Sequence, residues 1–156
     1  VEVQDGNTTA GLQYAYCKKL VDNPDGERLL YTDNVSAYLH CTNIIGASVI
    51  TNFEGFTALD SEILLDESEM KWPTPFDEPA NISISSDARV PQGLRWVLQL
   101  MRVGERWMVY VPYSSYVGYG ESDTSISYSD NGSSYSSSTI LGCSVLAYDI
   151  IVNDLL

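Results

Sequence analysis

The chain has 156 residues, of which 44% are hydrophobic, and its formal net charge at pH 7 is −13. This length and composition predict a single globular domain with a core of ordinary size. The excess of carboxylates repels phosphate backbones and anionic lipid, which excludes nucleic-acid binding and attraction to acidic membranes as main roles.

Strand patterns dominate the first half of the chain. Residues 1–10 are polar and predict an N-terminal arm, whereas residues 11–156 form the predicted domain. Residues 11–20 and 35–42 each predict a strand, and the apolar, glycine-containing residues 44–56 indicate a strand or a hairpin. No apolar run reaches the roughly 18 residues that a membrane-spanning helix needs, so no transmembrane segment is expected.

One helix is predicted in the middle of the chain. It follows an acidic segment with three prolines at 60–80, which predicts a surface excursion, and a short predicted strand at 81–85. Apolar residues at i, i+3, i+4 and i+7 then form a single stripe, and Gly104 is expected to end the helix. The stripe consists of Leu94, Val97, Leu98 and Met101.

The last third of the chain contains two strong strand patterns separated by a low-complexity segment. Residues 106–111 predict a central strand, and residues 144–152 predict a long buried one. The Ser- and Tyr-rich residues 121–139 predict a mobile loop, because little there can bury a core face. The alternative for this segment is an adhesive surface, since Tyr and Ser suit protein contacts. Strands with one principal helix predict an α+β fold.

The cysteines and the N-glycosylation motifs bear on the compartment. Three cysteines allow at most one intramolecular disulfide, and each is expected to be a buried free thiol. Four Asn-x-Ser/Thr motifs exceed the one or two expected by chance, which favours a secretory or extracellular location; Asn34 and Asn81 fall in strand-like segments and are the weaker candidates. The cysteines are Cys17, Cys41 and Cys143, and the candidate glycosylation sites are Asn7, Asn34, Asn81 and Asn131.

Residues 98–112 resemble a motif of the FK506-binding proteins (FKBPs), a family of peptidyl-prolyl isomerases. The family form runs A-L-Q-L-M-x-V-G-E-K-W-x-x-x-I-P, and LQLM, VGE, Trp107 and Pro112 match it in register. Flanking matches keep the family order over residues 11–152, with insertions near 44–53, 62–79 and 121–139. These matches are GLQY (11–14), LHCT (39–42), EGFTALDS (54–61), VPQG (90–93) and ILGCSVLAYDIIV (140–152).

The resemblance implies a curved antiparallel β-sheet wrapped around one main α-helix, with the Tyr-rich segment overhanging a cleft. Five cleft positions match the family or change conservatively. They are Val90, Ile140, Tyr148 in place of a Phe, Asp60 if one residue is inserted, and Tyr119 as the loop tyrosine, where an ungapped alignment instead gives Val117.

Three further cleft positions depart from the family. Leu94 stands where the pocket-floor Trp belongs, and Cys41 stands where a Tyr belongs. Pro91 stands where an Ile offers its backbone N–H, which proline lacks. Trp72 and Phe76, in an insertion, are the aromatic side chains available to rebuild a wall.

These departures bear directly on the chemistry. Prolyl isomerisation needs no nucleophile, because amide resonance sets its barrier of roughly 18–20 kcal/mol. A dry, aromatic-lined cleft lowers that barrier by favouring the twisted amide and orienting its carbonyl. The preferred hypothesis is therefore a domain with a degraded cleft that acts mainly as a protein-binding or structural subunit of a larger assembly. The alternative is an active isomerase and folding helper that binds proline-containing peptides.

No cofactor or metal site is expected. The acids of the 60–80 segment lack the D-x-D-x-D-G spacing of a calcium loop, so a solvated acidic loop is the prediction. A dyad of His40 with Cys41 is disfavoured, because adjacent strand residues point to opposite faces. The compartment has one alternative, the thylakoid lumen, which fits the acidity but makes the glycosylation motifs accidental.

Overall fold

The structure, a computed structural model, describes residues 1–3, 13–60, 70–130 and 134–156. In this part of the chain the backbone forms ten strands and one helix. In chain order they are β1 (Glu2–Val3), β2 (Gln13–Tyr14), β3 (Tyr16–Val21), β4 (Asn34–Asn43), β5 (Ser48–Thr51), β6 (Ala80–Ser83), α1 (Gln92–Leu98), β7 (Arg106–Val111), β8 (Thr124–Asp130), β9 (Ser134–Ile140) and β10 (Leu146–Leu155).

A six-stranded antiparallel sheet organises the molecule. Five strands lie in the order β3-β7-β10-β4-β5, and β6 pairs with the other half of β4. The predicted strand at 106–111 is β7, and its position between β3 and β10 confirms that it is central. In register, Tyr148 of β10 lies between Cys41 of β4 and Val109 of β7, so their side chains share one face.

Helix α1 packs against that face of the sheet, which confirms the predicted α+β architecture. All four residues of the predicted stripe are buried. The helix nevertheless ends at Leu98, well before Gly104. The chain has left the helix by Gln99, whose carbonyl accepts from Arg28 Nε at 3.1 Å, and the Met101 carbonyl accepts the Leu29 N–H at 3.2 Å. Gly104, at φ +86, belongs to a separate turn before β7.

The opposite face of the sheet is covered by part of the insertion between β5 and β6. Asp149 and Arg106 form a fully buried ion pair there, with 2.6 Å between Arg106 Nη2 and Asp149 Oδ2. The Phe56 N–H donates to the same carboxylate oxygen at 2.8 Å. The rings of Phe53, Phe56 and Trp72 lie 5.0 to 5.6 Å from the guanidinium carbon. This segment is thus held to the sheet by its contacts with a buried charge pair between two neighbouring strands.

The segment 121–139 is not the mobile loop that its composition predicts. Its described residues form the antiparallel strands β8 and β9, in register from Thr124↔Ile140 to Asp130↔Ser134. Ile126 and Ile140 are buried in the main core. Two isoleucines are sufficient here because the hairpin rests on an existing core and does not have to build one of its own.

The N-terminal residues also join the domain. Ala15 donates its N–H to the Val1 carbonyl at 2.8 Å, and Val3 is buried in the core. Residues 4–10 of the predicted arm lie outside the described part of the chain. Among the described residues, no helix is long and apolar enough to span a membrane.

Candidate functional site

Most of the predicted cleft residues come together between α1, β4, β9 and β10. Leu94 lies on α1, Val90 and Pro91 immediately precede that helix, and Ile140 ends β9. Cys41 and Tyr148 are cross-strand partners beneath them. All of these side chains are buried, and none of the five non-proline members exceeds 2% exposure. We call these six residues, Cys41, Val90, Pro91, Leu94, Ile140 and Tyr148, the closed cleft.

The polar groups of the closed cleft are held in their neutral forms. Burial raises the pKa of the Cys41 thiol to about 12 and raises that of Tyr148 well above its ordinary value. The Tyr148 hydroxyl makes no hydrogen bond of normal geometry to any described residue, although Cys41 and Tyr119 lie close enough to perturb its pKa. A buried, unpaired hydroxyl is costly, so Tyr148 opposes the stability of the closed state.

The loop after β7 closes the front of this group. Tyr119 Oη donates to the Ala88 carbonyl at 2.6 Å, and burial raises the pKa of this hydroxyl. Val117 is fully buried, and its carbonyl accepts the Gly93 N–H of α1 at 2.7 Å. A Cβ at position 93 would lie 2.6 Å from Val117 Cγ1, so glycine is what permits this close packing. The Tyr119 side chain lies close enough to Tyr148 to perturb its pKa, while Val117 packs on the helix next to Leu94.

The β8–β9 hairpin adds a second cover. The Tyr128 ring lies 4.8 Å from the guanidinium carbon of Arg89, which is buried and paired with Asp87 at 2.7 Å. Ser138 Oγ donates to the Val49 carbonyl of β5 at 2.9 Å. The hairpin is therefore attached both to the segment before α1 and to the end strand of the sheet.

Comparison with solved structures places this architecture in a known fold. FkpA from Escherichia coli matches with a TM-score of 0.56 and 16% identity over 90% of this chain and 47% of that chain. The three-FKBP-domain structure of wheat FKBP73 matches with a TM-score of 0.55 and 15% identity over 91% of this chain and 46% of that chain. A peptidyl-prolyl cis-trans isomerase from Pseudomonas syringae pv. tomato matches with a TM-score of 0.57 and 14% identity over 99% of this chain and 79% of that chain.

The chain has an FKBP-like fold. It spans about half the length of the first two structures. No protein-family model and no curated protein sequence matches it. At 14–16% identity these likenesses establish the fold of the domain, and its activity has to be argued from the site.

Asp60 is the one predicted cleft residue that lies elsewhere in the FKBP-like fold. The chain turns after Asn43 and returns as β5, so the segment at 54–61 lies beyond the returning strand. Asp60 instead caps a turn by accepting the Thr57 N–H at 2.6 Å. Burial is the main cause of the raised pKa of Tyr110, and the Asp60 carboxylate raises it further. The Tyr110 ring packs on the face of the sheet opposite the closed cleft. The sequence resemblance at 54–61 depends on Glu54-Gly55, which resembles the family's D-G. In the structure, the strand that pairs with this part of β4 is β5, which precedes that segment.

The remaining candidates also lie away from the closed cleft. Trp72 contacts Arg106 on the opposite face, and Phe76 is almost fully exposed, so neither rebuilds a cleft wall. His40 lies on the opposite face of the sheet from Cys41, as strand alternation predicts, and its side chain is buried there. Its Nδ1 lies 2.8 Å from Thr51 Oγ1, and burial is the main cause of its lowered pKa.

The cysteines and glycosylation candidates have mixed environments. All three cysteines are unbonded, but only Cys41 is buried, so the prediction of burial is wrong for Cys17 and Cys143. Both lie at positions that strand and turn patterns alone do not distinguish from core.

Asn34 and Asn81 have exposed side chains on β4 and β6, whereas Asn7 and Asn131 lie outside the described residues. The described residues contain no cluster suited to a metal ion.

Sequence reasoning missed the residues that cover the cleft. Ile126 and Tyr128 alternate with serines, which is the period of a strand with one buried face. Asn131-Gly132 is a dipeptide typical of tight hairpin turns. Together these signals indicate a hairpin, but they do not indicate what it packs against.

Proposed function

We propose that this chain is a non-catalytic FKBP-like domain that acts by protein contact, as a subunit or accessory of a larger assembly. The observation that carries the proposal is the burial of the closed cleft. Leu94, Cys41 and Tyr148 are each 0% exposed. A prolyl ring has no route to these side chains unless the loop and hairpin above them move.

The hydrogen-bonding groups around the cleft support the same conclusion. Catalysis by amide twisting requires a donor that holds the substrate carbonyl in its transition-state position. Pro91 has no N–H, and the hydroxyl proton of Tyr119 is donated to Ala88. The Val90 N–H is already bonded to the Asp87 carbonyl at 3.1 Å. Each of these candidate donors is therefore missing or committed within the protein.

A protease-coupled assay on a proline-containing peptide tests this proposal. We expect the chain to leave the uncatalysed rate of cis-to-trans conversion unchanged within about twofold, because no group is available to lower a barrier of roughly 18–20 kcal/mol. An active FKBP assayed alongside is the positive control. Acceleration proportional to protein concentration, abolished by a cleft-directed macrolide, would instead establish the alternative of an active isomerase and folding helper.

We further propose a secretory or extracellular location, with the thylakoid lumen as the alternative. The motif count supports it, and both glycosylation candidates on described strands, Asn34 and Asn81, have exposed side chains. In a secretory expression host we expect a glycan at one or more of the four motifs, detected as a mass shift that glycosidase removes. Asn→Gln variants locate the modified site. A mass equal to that of the bare polypeptide would contradict the proposal.

A further inference from the structure

The single histidine of the chain lies beneath the segment that covers the face of the sheet opposite the closed cleft. His40 is on β4, and its cross-strand partners are Thr51 on β5 and Asp149 on β10. It is only 6% exposed. After Thr51 the chain continues as residues 52–60, which we call the strap. A group that titrates near neutral pH is therefore enclosed between two strands and the start of the strap.

A relay of two hydrogen bonds connects His40 to the strap. The Thr51 hydroxyl donates to the Phe53 carbonyl at 2.6 Å, so the hydroxyl oxygen can only accept from the ring. His40 Nδ1 lies 2.8 Å from Thr51 Oγ1 and therefore carries the proton that this second bond requires. The relay is complete with a neutral ring protonated at Nδ1, and it gains nothing from a second proton at Nε2.

The strap rests on the same patch of the sheet as the histidine. The Phe53 ring packs edge-on against the His40 ring, with 6.3 Å between the ring centroids. The Phe56 N–H donates to Asp149 Oδ2 at 2.8 Å. Both phenylalanines are buried. A change at His40 therefore acts directly on the contacts that hold the strap in place.

The charges around the ring do not favour its cationic form. Among the described residues, Asp149 on β10 and Glu54 in the strap bring negative charge toward it, whereas Lys71, in the segment before β6, brings positive charge. The Asp149 charge is already balanced by its buried partner Arg106. Glu54 and Lys71 are exposed, so water screens both. A proton added to His40 would therefore be a buried charge without a dedicated partner, which is costly.

Acid is expected to favour release of the strap. Burial, the largest cause, lowers the pKa of His40 in the folded chain below its ordinary value of about 6.5. Its contribution to the closed state is fully present above that ordinary pKa and is lost as the pH falls through the lower, folded value. The strap is held by a few contacts, whereas β10 and β4 pair over nine residues, so the strap opens at a lower free-energy cost than the sheet.

We propose that His40 is a pH-sensitive latch, whose protonation releases the strap from the sheet while the sheet and the closed cleft stay folded. The inference goes beyond the proposed protein-contact function and does not depend on it. Because Phe53 and Phe56 are buried by the closed strap, the latch gives the domain different surfaces in neutral and in mildly acidic surroundings.

Amide hydrogen exchange of the untagged full chain at pH 7.5 and 5.5, corrected for intrinsic exchange rates, measures the release. The reporter is the Phe56 amide, and the references are β10 amides in the ladder with β4. We expect protection of Phe56 to fall about threefold or more at pH 5.5, while the references change within about twofold. Equal protection of Phe56 at the two pH values, or an equal fall in the references, would overturn the proposal.

Three variants assign the response. His40→Asn keeps an N–H donor near the position of Nδ1 but cannot take up a proton, so protection of Phe56 should change less than about twofold between the two pH values. His40→Gln, also uncharged, replaces it if the first variant does not fold. Glu54→Gln removes an exposed strap carboxylate and is the matched control, which should keep the full response. An acid response in the His40 variants equal to that of the unmodified chain would assign it to carboxylates and overturn the proposal.

A titration of the unmodified chain needs no variant. Since the untagged chain has one histidine, its ring resonance in the NMR spectrum is followed without ambiguity. We expect a midpoint below that of the same chain unfolded in urea, and a midpoint at or above the unfolded one would overturn the proposal. Turnover in the isomerase assay would refute the non-catalytic function alone, whereas these measurements refute only the latch.

Discussion

Tyr148 and Tyr119 bring the same chemical group to the same region of the core, but with different results. The Tyr119 hydroxyl donates to a carbonyl, whereas the buried Tyr148 hydroxyl makes no hydrogen bond of normal geometry to a described residue, although Cys41 and Tyr119 lie close to it. Tyr148 on β10 is the direct cross-strand partner of Cys41 on the adjacent β4, so a larger side chain lies opposite a smaller one. The pair keeps the core filled, with the aromatic ring on β10 and the small side chain on β4.

Removal of these two hydroxyls should have opposite effects on stability. We expect Tyr148→Phe to raise the free energy of unfolding by about 1 kcal/mol, because it removes an unpaired buried polar group. Tyr119→Phe should lower it by about 1 kcal/mol, because it leaves the Ala88 carbonyl without its donor. Urea denaturation at pH 7 measures both changes. A loss of stability in Tyr148→Phe would mean that its hydroxyl has a partner.

The same residues predict how stability depends on pH. Burial raises the pKa of Cys41 to about 12 and raises those of Tyr119 and Tyr148, so in the unfolded chain these groups ionise at lower pH than in the folded one. The contribution of these groups to the free energy of unfolding is fully present at pH values below the pKa values they have in the unfolded chain. It is lost as the pH rises from about 9 upward. Above about pH 10, Tyr148→Phe should lose less stability than the unmodified chain; an equal loss would contradict this assignment.

At the scale of elements, the β8–β9 hairpin decides whether the cleft is open. Its attachment rests on Ile126 in the core, the Tyr128–Arg89 contact and the Ser138–Val49 hydrogen bond. The sheet beneath it is secured by much longer ladders, such as the nine-residue pairing of β10 with β4. Local opening of the hairpin should therefore require less free energy than unfolding of the sheet.

Reactivity of the Cys41 thiol measures this opening. In a Cys17→Ser, Cys143→Ser background, labelling at pH 8 should be slow, because only the thiolate reacts and the pKa is about 12. Ile126→Ser should accelerate labelling about tenfold or more by loosening the hairpin. Leu20→Ala weakens the core on the other face and is the control for global unfolding. If it accelerates labelling as much as Ile126→Ser does, the hairpin is not the gate.

At the scale of the whole molecule, the segment before β6 and the β8–β9 hairpin cover opposite faces of the FKBP-like sheet. The hairpin lies over the helix side, and the segment before β6 lies over the other side, where Phe56 and Trp72 contact the Arg106–Asp149 pair. Buried ion pairs contribute little net stability but tolerate no loss of one partner. With both faces covered, the exposed parts of the covering segments are surfaces available for protein contact.

Elements with a strong local pattern could be predicted from the amino-acid sequence. The stripe from Leu94 to Met101, the central strand at 106–111 and the motif at 98–112 were sufficient for the helix face, the sheet and the fold class. Which side chains contact one another depends on the packing of segments that are distant in sequence. Asp60 caps a turn at Thr57 and lies near Tyr110 on the other face of the sheet, a placement that motif spacing does not reveal. The Ser- and Tyr-rich hairpin was misjudged because its order comes from a surface built by residues distant in sequence, and burial against such a surface cannot be read from the composition of the segment that becomes buried.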